Sequence, residues 1–129
     1  MRPVFRPYER RESRKCKVDM SPAVGTLAVM SFEDWQRSVA NDAAPPAGLS
    51  AALQALWHDG RNDWEGAHQC AQDDHSREGS WVHAYLHRKE GDLGNAGYWY
   101  SRAGRKIPAQ SATLASEWAE ISRELLGAK

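Results

Sequence analysis

Ser80–Pro108 reads SWVHAYLHRKEGDLGNAGYWYSRAGRKIP, and its punctuation decides the fold. Trp81, Val82, Tyr85 and Leu86 stand at i, i+1, i+4 and i+5, a broad apolar stripe on a helix with no alternation that a strand could use. Gly91 can take the left-handed conformation that ends a helix without Cβ strain, and Asp92 can accept from the free N–H groups opening the next one. In that next helix Leu93, Ala96, Tyr100 and Ala103 recur at i, i+3, i+7 and i+10 and share a face, with Asn95, Arg102 and Arg105 off it. Ala96 and Ala103 are small enough to let a partner helix approach while Tyr100 fills the remaining volume, and Gly104 and Pro108 stop the helix. The stretch is predicted to be a helix, a turn and a second helix.

Gly91, Asp92, Ala96, Tyr100, Ala103 and Pro108 together resemble the turn and second helix of a tetratricopeptide repeat, and Ala96-x-x-Trp99-Tyr100-x-x-Ala103 is similar to the related Sel1-like repeats. In the first helix Ala84 stands where that family has its small packing residue, while His83, His87 and Glu90 occupy places that are usually leucine, tyrosine and leucine. Shifting the chain back by 29 residues lays Ala55 on Ala84, His58 on His87, Asp63 on Asp92 and Ala67 on Ala96. Leu56, Trp57 and Trp64 then fall on Tyr85, Leu86 and Leu93, so two degenerate repeats are predicted. The resemblance implies an all-α fold, antiparallel helical hairpins stacked as a short right-handed array, with an inner surface that binds extended or helical peptides.

Outward from this centre the same signals continue. Ser31 can cap a helix carrying Phe32, Trp35 and Val39 on one side, with Glu33 and Asp34 at the positive end of its dipole. Ala43-Ala44-Pro45-Pro46-Ala47-Gly48 breaks the chain, because neither proline can donate and Ala44 is pushed out of the helical region. Leu49, Leu53, Leu56 and Trp57 make the next helix, ended by Gly60, and Asp63 opens its partner with Trp64, Ala67 and Ala71 on one face. Gln72–Ser76 links it to the central hairpin. Ser111 is placed to cap a last helix with Leu114, Trp118, Ile121 and Leu125 before Gly127, and Glu117, Glu120, Arg123 and Glu124 are expected to face water. Six helices result: two hairpins and a flanking helix at each end.

The net charge of zero hides an asymmetry. Residues 1–30 hold Arg2, Arg6, Arg10, Arg11, Arg14, Lys15 and Lys17 against Glu9, Glu12 and Asp19, so a basic extension precedes an acidic body spanning 31–129. The first 20 residues of that extension, with two prolines, scattered charges and no periodic apolar face, read as disordered, a solvated stretch upstream of a start at Met20 or Met30. Charge without interleaved aromatics gives only weak, salt-sensitive attachment, so nucleic acid is not the expected partner. No apolar run is long enough to span a bilayer, and Gly25 with no small-x-small site after it argues against a secretory signal. Cys16 and Cys70 form no framework and no CxxC, which fits a reduced, cytoplasmic setting without a thiolate metal cluster.

Chemistry is sparse. No phosphate-cradling glycine loop and no nucleophile elbow occurs, and the chain is not expected to be an enzyme or to need a cofactor. Under the register that the resemblance implies, Trp81, Tyr85, Arg88 and Lys89 line the inner surface and offer aromatic contact area plus cations for a carboxylate. The expected activity is a non-catalytic interaction module that binds a protein or peptide segment or forms a homodimer. A second reading uses His83, His87 and Glu90, four and three residues apart on one side of a helix, with His58 in reach as the repeat counterpart of His87, to hold a zinc or iron ion. Packing of His58 and His87 against helix-capping carboxylates competes with it.

Overall fold

Residues 30–127 are described in the computed structural model, and among them six helices and no strand occur. They are α1 (Phe32–Asn41), α2 (Ala51–Gly60), α3 (Trp64–Gln72), α4 (Arg77–Lys89), α5 (Leu93–Ala103) and α6 (Leu114–Leu126). The fold is all-α. The basic extension lies outside the described residues apart from Met30.

Capping chemistry sets every start. Ser31, Ser50, Asp63, Ser76, Asp92 and Thr113 each turn a side-chain oxygen to an N–H of the first turn, meeting one of the donors that a helix leaves open. The last of these is a correction: Thr113, not Ser111, caps α6, because the chain between Pro108 and Ala112 is still turning. At the far ends Gly104 and Gly127 take left-handed conformations, at φ 73° and 79°.

The turns that end α2 and α4, 29 residues apart, share one geometry. Asn62 and Gly91 both adopt positive φ, 65° and 90°, and the capping Asp63 and Asp92 have nearly the same backbone angles. Their hydrogen bonds match as well: Asp63 N–H to the His58 carbonyl and Asp92 N–H to the His87 carbonyl are both 2.9 Å. Two turns of one design therefore join α2 to α3 and α4 to α5.

Helix α4 is central. It packs against α5, α3, α6 and α2, and Trp81, Val82, Ala84, Tyr85 and Leu86 are all buried. Asp74 in the link before it accepts from Ala52 N–H at 3.1 Å and from Ser76 N–H at 2.9 Å, tying the start of α2 to the start of α4. Trp35 is fully buried, and its indole N–H donates to Ser122 at 3.1 Å where α1 meets α6.

Two expectations about faces fail. Glu117 is buried, since Tyr100 and Arg88 converge on its carboxylate from α5 and α4. Leu93, the first residue of α5, is 65% exposed although its helical partners Ala96, Tyr100 and Ala103 are buried. No described helix is long and apolar enough to cross a membrane.

Candidate metal centre

Helix α4 carries two chemically different sides. Toward α2 and α6 it presents the residues expected to line a peptide groove. Trp81 and Tyr85 are buried, with the Arg105 guanidinium 3.6 Å above the Trp81 ring. Tyr85 donates to Asp59 at 2.7 Å, Lys89 donates to the other oxygen of Asp59 at 2.7 Å, and Arg88 donates to Glu117 at 2.6 Å and to the Ala112 carbonyl. Burial, together with the adjacent carboxylates, holds the Tyr85 and Tyr100 phenols above their usual range. All four groove candidates are thus engaged within the chain; Trp81 alone also lines a cleft of about 580 Å³, beside Arg77, Arg105 and Glu124.

Toward α3 and α5 the helix presents His83 and His87, one turn apart, and α3 brings His68 to meet them. Donor atoms of the three histidines all lie within 4.8 Å of one another, and His68 Nε2 stands 3.1 Å from His83 Nε2. His83 and His87 are buried, and His68 is half-buried.

Aromatic rings fix this arrangement. Trp64 stacks on His68 with centroids 4.7 Å apart and anchors itself by donating from its indole to the Leu86 carbonyl at 3.0 Å. Trp99 of α5 stacks on His83 at 4.0 Å, and the His83 and His87 rings stack at 4.9 Å. His68 stands nearly perpendicular to both. On its outer side His87 Nδ1 meets the Glu90 carboxylate at 2.9 Å, which leaves Nε2 for the cluster.

Burial, and then the charge of neighbouring imidazoles, lowers the pKa of His68 to about 4 and of His83 to about 3. At neutral pH both rings are uncharged, each with one N–H and one lone pair, and one of the facing Nε2 atoms donates to the other. Neutral nitrogens held within reach of a common point are what a borderline metal ion binds, and a partner carboxylate on the far nitrogen of one ring sets its tautomer.

Of the residues singled out from sequence, His83 and His87 come together here. Glu90 contacts His87 from behind, and with Asp92 forms a second, more exposed donor group that shares His87. His58 belongs to neither group; its Nδ1 lies 3.8 Å from Asp63, the capping residue of α3. The member of the cluster that spacing missed is His68. Its one signal is that it follows Trp64 by four residues, on the side of α3 that packs against the central hairpin.

Compared with protein-family models, curated proteins and solved structures, the chain has no match.

Proposed function

We propose that this protein binds a transition-metal ion of the zinc class through His68, His83 and His87. The carrying observation is the convergence of three imidazoles from two helices in a protected site. Tetrahedral zinc with Zn–N bonds of 2.0–2.1 Å implies about 3.3 Å between ligand nitrogens, and His68 and His83 already stand 3.1 Å apart. A set of three imidazoles without thiolate suits Zn²⁺, Co²⁺, Ni²⁺ or Cu²⁺ better than Ca²⁺ or Mg²⁺, which take oxygen.

Elemental analysis of untagged protein, paired with His68→Ala, His83→Ala and His87→Ala, tests this. One equivalent of metal, lost in each variant and kept in His58→Ala and His75→Ala, is the expected result. Folded wild-type protein that takes up no Zn²⁺ or Co²⁺ would sink the proposal.

A second reading is favoured by a separate observation. The large apolar side chains exposed among the described residues, Leu93, Tyr98 and Ile107, all belong to α5 or the segment after it. In this reading α2/α3 and α4/α5 are two tetratricopeptide-like hairpins flanked by α1 and α6, and the outer face of α5 takes a helical partner or a second copy of the chain. The repeated turn supports such an arrangement. Light scattering of the wild type beside Leu93→Glu/Tyr98→Glu checks it, with a monomer in both cases counting against self-association.

A further inference from the structure

The ligand set has a property that decides what such a centre is for. Among the described residues no fourth His, Cys, Asp or Glu atom joins His68, His83 and His87 within 4.8 Å. Glu90 is the nearest acid by bonding, yet it addresses Nδ1 of His87, across the ring from the nitrogen left for the ion. The Leu86 carbonyl beside the cluster already accepts from the Trp64 indole. Zinc and cobalt complete four positions at least, and sites with three protein donors take the fourth from outside.

Charge then selects the outside donor. Imidazole brings no negative charge, so a divalent ion here would keep two positive charges, and the carboxylates near it, Glu90 and the exposed Asp92, stand behind His87 and not beside the ion. The walls beside it, the indoles of Trp64 and Trp99, are apolar and do little to screen that excess. An anion in the open position neutralises it where a neutral donor does not.

Access and size narrow the choice further. His68 is the half-buried member of the set while His83 and His87 are buried, so approach is from the α3 side. Ring faces are already occupied there, His68 by Trp64 and His83 by Trp99, and one open position on a four-coordinate ion takes one donor atom.

We infer that the ion held by His68, His83 and His87 keeps one exchangeable position, open on the His68 side, and that this position binds small monodentate anions. The inference rests on the metal-binding reading above and deepens it, making the centre a reactive or anion-sensing one rather than a structural clip.

Cobalt and azide provide the test. Full-length protein is loaded with Co²⁺ in chloride-free buffer, and sodium azide is titrated while the visible d–d bands are recorded. The expected result is a saturable displacement of those bands through an isosbestic point, with His68→Ala showing neither the bands nor the displacement. Bands that azide leaves unchanged overturn the inference and spare the metal reading. A near-ultraviolet sulfur-to-cobalt band also overturns it, because a cysteine thiolate such as Cys16 would then occupy the fourth position. Failure to take up cobalt at all overturns both together.

Discussion

His83 Nε2 and His68 Nε2 face each other at 3.1 Å across the seam between α3 and α4, each ring backed by a tryptophan. Burial is the main obstacle to charging either imidazole, and the charge of neighbouring imidazoles in the cluster adds to it.

Stability of the metal-free protein should therefore fall on mild acidification. The folded pKa values, about 4 for His68 and about 3 for His83, lie below the ordinary 6.5, so between these limits the unfolded chain binds protons that the folded one refuses. The contribution is complete above pH 6.5 and is lost as pH falls toward 4, by on the order of 1.4 kcal/mol per pH unit for each histidine. Urea melts at pH 7 and pH 5 measure it. An unchanged midpoint, once carboxylate effects are matched with a His83→Phe control, would refute it.

Glu90→Gln should weaken metal binding without unfolding the chain. The carboxylate fixes His87 from behind, and removal of such an outer partner costs about 10- to 100-fold in affinity. Competition with a chromophoric chelator reads the change. Equal affinity in the variant would show that Glu90 has no part in orienting the ring.

Two acids of α6, Glu117 and Glu124, should separate sharply. Glu117 is buried and accepts from Arg88 at 2.6 Å and Tyr100 at 2.7 Å, so Glu117→Ala strands two donors and is expected to cost about 3–5 kcal/mol. Glu124 pairs with Arg105 in an exposed bridge, and its loss should cost under about 1 kcal/mol. Paired denaturation curves with similar losses for both would contradict the burial argument.

Glycine substitutions should have opposite signs at two places. A Cβ at Gly60 would stand 2.6 Å from Val39 Cγ1 and 3.2 Å from Trp118 Cζ2, so Gly60→Ala overpacks the junction of α1, α2 and α6 and should destabilise by about 1–3 kcal/mol. A Cβ at Gly94 meets nothing within 4 Å, and Gly94→Ala should gain up to about 1 kcal/mol from the reduced freedom of the unfolded chain. Thermal melting of both variants settles the signs.

Local order was legible in the sequence because it is written in local code. Capping residues and the left-handed stop at Gly91 act over a few residues, and all six expected helices occur, with the start of α6 two residues later than the Ser111 cap would place it. The centre was half legible for the same reason: His83 and His87 are neighbours by helical pitch alone. His68 joins them only through the docking of α3 on α4, for which no spacing rule exists. Glu117 shows the converse error. As a charged residue at the start of α6 it reads as solvated, until Tyr100 and Arg88, each from a different helix, supply the bonds that make its burial tolerable.

Among the helices, α5 has backbone contacts with α4 alone, and Trp99, which covers His83, rides on it. This makes α5 the helix expected to come free first: releasing it breaks one helix–helix seam together with the Tyr100–Glu117 hydrogen bond and the Arg105–Glu124 bridge. Amide protons of Ala96–Ala103 should then trade with deuterium ahead of those in α4, and equal protection in the two helices would show that α5 opens only with the whole fold.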